Sequence, residues 1–442
     1  MGRYKKIISI MLCIMLLWGL ETQQIFADDV IVEENQSENT IQDDQHTVNE
    51  NETIGNSESE KETTDESDTE FSQDGNEEQE QIESKTDEVI TSMDEEGNIT
   101  EIDSESGIVN DNGIAVFSES GKIVNFNTKG NSVTNYTEYK TGFSGYTNGM
   151  YGADALYLGS ENGKIKFMIS GVIGLVNSGE VQVIDMNQAS SVSYYTVSNG
   201  RLIHKITTNI TKSTYASSLD NGPAPKYLQE GGTYYSYDGH YFYTRENFSK
   251  MIEDYNGSTR NNAINFAEPY YNYFQYLPLR SKTAYTTDQL NSVLSSKIAG
   301  RTSAMNNVAD TFLSYQNQYG VNALIAIGVA ANESGWGTSN IAKTKNNLFG
   351  LNAVDVSPGQ SANTYSSIDS CVKTFMETYM SKRYLNPNAG VYAGGYLGNK
   401  ASGMNVKYAS DPYWGEKNAN IVWLIDKTYS HSEYANYTLA VK

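Results

Sequence analysis

Toward the C-terminal end of the chain, apolar residues recur three and four positions apart. In QLNSVLSSKIAG, Leu290, Val293, Leu294 and Ile298 share one face, Thr287 and Asp288 supply helix-start residues, and Gly300 supplies a stop, so the spacing predicts a helix. A second helix is predicted in SAMNNVADTFLSYQNQYG, where Met305, Val308, Ala309, Phe312 and Leu313 keep helical spacing until Gly320. The next segment, VNALIAIGVAANES, is apolar nearly all round. Such a helix has to be surrounded by protein. It is expected to be the central helix of its domain, with Glu333 at its C-terminal end.

Upstream the period falls from 3.6 to two. GIAVFSESGKIVNFN alternates about a Ser-Gly turn, and GKIKFMISGVIGLVNSGEVQVIDM gives two further short apolar runs broken by Gly and Asn-Ser-Gly, predicting a small all-β module over 108–192. Residues 193–285 are dominated by tyrosine, as in SYYTVSNGRLIHKI, GGTYYSYDGHYFYT and PYYNYFQYLPLRSKTAYT. Tyrosine favours strands, fills small β cores and offers flat faces that stack on sugar rings.

Charge and composition divide the rest of the chain. The first 27 residues have a basic start (Arg3, Lys5, Lys6), an apolar run from Ile7 to Leu20 and a small residue, Ala27, at a plausible cut. That is the pattern of a secretory signal peptide, whose apolar part is too short for a confident membrane span. Residues 28–107 hold 29 acidic against 2 basic residues and read as a disordered, solvated spacer. Removing the −27 of this stretch and the +2 of the signal peptide from the total of −23 leaves +2 for 108–442, so the acidity belongs to the spacer. Cys13 lies inside the apolar run, and after cleavage Cys371 is the one remaining thiol, so an intramolecular disulfide is not expected.

Glu333 is the residue that asks for an explanation. A carboxylate at the end of a buried helix meets apolar neighbours and the negative end of the helix dipole, and both favour its protonated form. Its pKa is expected to rise from about 4.3 toward roughly 6, which suits a group that donates a proton to a glycosidic oxygen. Gly335 and Gly337 allow a tight turn after it, and Trp336 supports or lines a cleft. The competing reading is a helix-end glutamate paired with Lys343 or Lys345.

The stretch AxxESGWGTSxIAK followed by NNLFGLNA resembles the glucosaminidase domain of bacterial autolysins, glycoside hydrolase family 73. YSSIDSCVKTFMETYMS, RYLN and KYASDPYWGEKNANIVWLID match the same family in the same order, so the resemblance covers residues 286–442. It implies a lysozyme-like, mostly α catalytic domain with a small β-lobe, acting on peptidoglycan glycan strands. Glu333 then becomes the general acid at the β-1,4 bond after GlcNAc. The second catalytic role is open between Asp369, next to the Tyr365-Ser366-Ser367 stretch, Asp355, and the N-acetyl group of the substrate. The resemblance places Trp336, Asn347, Phe349, Tyr365, Tyr408, Tyr413 and Trp414 at the sugar subsites, with Asp411 structural. Residues 108–192 resemble an SH3-like module and 193–285 a WW-like module of secreted cell-separation glucosaminidases.

The expected protein is therefore multidomain, secreted to the cell wall and monomeric, with no cofactor, metal, nucleic acid or lasting membrane insertion. His46, His204, His240 and His431 lie far apart, and neither HExxH, paired Cys-x-x-Cys nor a GxxxxGK[ST] loop occurs. Two rival functions are a lytic transglycosylase cleaving after MurNAc and a non-catalytic wall-binding protein. On this reading residues 286–442 cut soluble glycan alone, and 108–285 bind sacculi.

Overall fold

The computed structural model of the chain describes residues 89–109, 121–351, 362–439 and 441. The signal peptide, most of the acidic spacer and Asp355 lie outside the described residues.

The spacer expected to run to Gly107 gives way to ordered chain at its end. Strands β1 (Thr91–Met93) and β2 (Ile99–Glu101) pair as an antiparallel hairpin, whose turn is closed by Asp94 Oδ1 accepting the N–H groups of Glu96 and Asn98 at 3.0 and 2.8 Å. Ile90 and Met93 are buried beneath it. The few apolar residues in an acidic stretch are the ones that order it, a local signal that averaged composition hides.

Seven antiparallel strands follow: β3 (Lys122–Asn125), β4 (Val133–Glu138), β5 (Ser144–Asn148), β6 (Asp154–Glu161), β7 (Lys164–Ile169), β8 (Val172–Asn177) and β9 (Gln182–Asp185). Their order in the sheet is β5-β4-β8-β7-β6-β3-β9. Alternation decides the faces: Ile165, Phe167 and Ile169 of β7 enter one core with Val124, Phe126 and Tyr136, and Met168 enters the other with Ile123, Leu156 and Ile184. A second sheet, in the order β12-β11-β10-β13, holds β10 (Tyr194–Ser198), β11 (Arg201–Ile206), β12 (Ser217–Pro223) and β13 (Thr233–Tyr234). Asn199 and Gly200, at φ 51° and 70°, make the tight turn between β10 and β11.

The tyrosine-rich region is less strand-like than its composition. Helix α1 (Phe248–Gly257) places Phe248, Met251 and Tyr255 on one face, against the first sheet's second core, and PYYNYFQY forms the short helix α2 (Tyr273–Tyr276). Tyr234, Tyr235, Tyr237, Tyr243 and Tyr255 are all buried, so they fill cores.

Beyond residue 285 the described chain is helical: α3 (Thr287–Ile298), α4 (Ala309–Tyr319), α5 (Ala323–Ser334), α6 (Asn340–Lys345), α7 (Ile368–Thr374) continuing in wider π-type turns over Phe375–Tyr384, α8 (Asn405–Tyr408) and α9 (Trp414–Thr428). The predicted first helix is present, capped one residue early by Thr286 in a reciprocal box with Gln289. The second starts only at Ala309, because Asn307 adopts φ 53° and breaks the run that begins at Met305. The expected β-lobe has no strand among the described residues of 286–442; Asn346 and Asn347 side chains tie that segment together instead.

The helical domain does not stop at residue 286. Its core takes in Met93 from β1, Ile206 from β11, Leu219 from β12, and Tyr273, Phe274, Leu277 and Leu279. Helix α9 is buried from Trp414 to Asp426, packed on α5 and β12, with Trp423 Nε1 donating to Asp220 at 2.9 Å. His204 Nδ1 lies 3.0 Å from both carboxylate oxygens of Glu416 across the same boundary.

Candidate active site

Helix α5 delivers Glu333. Asn322 Oδ1 accepts the Ile325 N–H at 3.0 Å to start the helix, and every residue from Ala323 to Ala331 is buried, as its all-round apolarity requires. Gly335 ends it in the left-handed region at φ 58°, while Trp336 N–H returns to the Ala331 carbonyl at 2.8 Å. Gly337, at φ 75°, passes so close to the Ser303 turn that a Cβ would sit 2.4 Å from Ser303 Oγ. Glu333 thus occupies a rigid last turn.

Its carboxyl group is enclosed by residues that converge from α8 and α9. Trp414 Nε1 donates to Glu333 Oε1 at 2.5 Å. The indole is fixed in turn by Asp411, whose carbonyl accepts the Trp414 N–H at 3.3 Å and whose carboxylate binds the Tyr413 N–H at 2.8 Å and Lys417 Nζ at 2.6 Å. The Tyr408 ring lies 4.6 Å from that of Trp414, with Tyr384 5.4 Å beyond, and the buried Tyr408 hydroxyl has no hydrogen-bond partner among the described residues. Burial pushes the Glu333 pKa up to about 7; nearby Asp411 adds to the rise, and the Trp414 and Asn332 hydrogen bonds and Lys417 oppose it. A half-buried carboxyl that holds its proton near neutrality and still has part of its surface open is able to act as an acid.

Residues 309–427, from the start of α4 to the end of α9, match the Glucosaminidase family model, described as mannosyl-glycoprotein endo-beta-N-acetylglucosaminidase. This chain carries a glucosaminidase domain. Two Streptococcus pneumoniae proteins, named as candidate endo-beta-N-acetylglucosaminidases, are each 31% identical over 272 residues, 61% of this chain. The chain spans about a third of their length, 35% and 33%. Among solved structures, S. aureus autolysin E is 24% identical over 36% of this chain and 72% of its own, with a TM-score of 0.29. S. aureus glucosaminidase B is 20% identical over 35% of this chain and 65% of its own, with a TM-score of 0.28.

Within the glucosaminidase domain, the structure brings together Glu333, Tyr408 and Trp414 of the residues expected at the site, and gives the others different partners. Asp369 is exposed in the first turn of α7, where Tyr315 Oη donates to it at 2.9 Å. Trp336 is 2% exposed and its indole N–H is taken by the Gly97 carbonyl of the β1–β2 turn at 2.9 Å, so it anchors the hairpin and presents no face to a sugar. Phe349 is stacked on Phe375 at 3.7 Å within the core. Asn347 is buried, accepting the Phe349 and Leu351 N–H groups and donating to the Leu351 and Asn363 carbonyls. Tyr413 is buried edge-on to His204 at 5.0 Å. Tyr365 is half-buried, its hydroxyl 3.4 Å from Asn363 Nδ2. Trp336, Asn347, Phe349 and Tyr413 are thus packed into the scaffold. Lys343 and Lys345 form no ion pair with Glu333; Lys417, four residues from Tyr413, is the lysine that faces the cluster. Among the described residues no group of His, Cys, Asp and Glu could hold a metal, and no helix is long and apolar enough to cross a membrane.

Proposed function

We propose that this protein is a secreted peptidoglycan hydrolase, an endo-beta-N-acetylglucosaminidase that cuts the β-1,4 bond after GlcNAc with Glu333 as general acid. The observation that carries this reading is the carboxyl group of Glu333, raised to about 7 at the end of the buried helix of a glucosaminidase domain and aimed by Trp414. Protonated Glu333 gives its proton to the leaving oxygen as the C1–O bond breaks. The acetamido oxygen of the GlcNAc unit attacks C1, and water then displaces it, losing its proton to the Glu333 carboxylate. Support for this assignment of the nucleophile is that Asp369, on α7, is exposed and bonded by Tyr315; Asp355 lies outside the described residues. The upstream β modules serve as wall-binding and scaffold elements.

The test is product analysis. Digested peptidoglycan should yield soluble fragments with reducing GlcNAc ends. Fragments ending in 1,6-anhydro-MurNAc would overturn the reading in favour of a transglycosylase.

A further inference from the structure

We infer that Lys400 is a positioning residue for the reaction, an inference that rests on the reading of Glu333 as acid. Lys400 is 1% exposed, which for a lysine demands partners. Its Nζ reaches the carbonyl oxygens of Asn405 at 3.1 Å, Val406 at 3.5 Å and Ala409 at 3.0 Å. Three donors meet three acceptors. All three carbonyls belong to α8 and the residue after it, and that one turn carries Tyr408 to its place over Trp414.

The surrounding contacts give the cage a fixed floor. The ammonium lies 4.6 Å over the Tyr146 ring of β5, and Tyr146 Oη donates to the Lys407 carbonyl at 3.0 Å. Asn148 N–H and Thr147 Oγ1, also on β5, donate to the Ser410 carbonyl at 3.0 and 3.3 Å. Ser170, in the turn between β7 and β8, accepts the Lys400 N–H at its carbonyl at 3.0 Å and donates from Oγ to the Pro412 carbonyl at 2.5 Å. The segment 405–412 is too short and too rich in turns to hold itself by a backbone ladder. The first β module therefore clamps it from outside and Lys400 ties it from within. Remove the ammonium and the carbonyls of Asn405, Val406 and Ala409 lose this donor together, which frees the turn that closes the wall around Glu333. Asp411, Lys407 and Glu138 are the charged groups that act on Lys400.

The experiment compares full-length wild type with Lys400→Met, which keeps the apolar stem and removes the donors. Lys400→Met should lower kcat by about 10- to 100-fold with a smaller change in KM, as a displaced catalytic wall does. The basic limb of its pH profile should move to lower pH, because water admitted beside Glu333 weakens the cause of its raised pKa. Amide hydrogen exchange at 405–409 should quicken. A folded Lys400→Met enzyme with wild-type kcat, basic limb and exchange overturns the inference. If that variant does not fold, Lys400→Gln is decided by the same three readouts. Glu333→Gln, run alongside, separates the two claims: full turnover there sinks the assignment of the acid, whereas exchange at 405–409 still reports on Lys400.

Discussion

Glu333→Gln should stabilise this protein at alkaline pH while it slows turnover. The native carboxyl titrates near 7 and the unfolded one near 4.5, so between those values the native state holds more protons than the unfolded chain. Stability must then fall as pH rises through that window, the opposite of a salt-bridged carboxylate. A rise from 4.5 to about 7, at about 1.4 kcal/mol per unit, corresponds to roughly 3.5 kcal/mol. Allowing for the part of the side chain that water reaches, about 2 to 3 kcal/mol should remain. Glutamine has nothing to titrate there. The assay is urea unfolding of both proteins at about pH 4 and about pH 8, where the variant-minus-wild-type difference isolates this one group from every other carboxylate. That difference should grow by about 2 to 3 kcal/mol in favour of Glu333→Gln on going to the higher pH. An unchanged difference would mean that Glu333 titrates as an ordinary carboxylate, and the argument from burial would fail.

Turnover of Glu333→Gln in the same preparation should drop by about 10² to 10⁴, the usual worth of a general acid. Tyr408→Phe removes a buried hydroxyl without a partner among the described residues, so unfolding should show no loss of stability, whereas kcat should fall by about tenfold if that hydroxyl turns to the substrate; unchanged kcat would make it packing alone. Asp369→Asn should keep kcat within about threefold, and a loss as large as that of Glu333→Gln would put a second carboxylate in the mechanism. Residues 286–442 alone should be molten, with dye binding and no near-ultraviolet dichroism, because Trp423, Glu416 and Trp336 lose Asp220, His204 and the Gly97 carbonyl and the core loses Met93, Ile206 and Leu219. A cooperative melt with glycan cleavage by that fragment would refute this.

The helices of the glucosaminidase domain were legible because period and caps are local: Leu290, Val293, Leu294 and Ile298 are all buried on one face, and the all-round apolarity of α5 does mark the central helix. Glu333 was legible for the same reason, since its place at a buried helix end follows from the sequence of that helix. Period two likewise marked β7 and β8. Tyrosine was a poorer guide, because one side chain serves a strand, a helix face or a core equally well, and α1 and α2 turned on which sheet lay beneath them.

The sequence by itself determined the local elements, the carboxyl-bearing residue at the end of α5 and the family motifs, all of which depend on residues within a few positions of one another. Tertiary structure decided which motif residues meet. Trp336, Asn347, Phe349 and Tyr413 lie in the same motifs as Trp414 and Tyr408, yet burial turns the first four into supports. It also decided that an acidic stretch ends in a hairpin on Trp336, and that a lysine among glycines and serines is buried under three carbonyls. The physical reason is range: helix period and capping act over about four residues, whereas the enclosure of Glu333 and Lys400 is made by strands and helices that only the folded chain brings together.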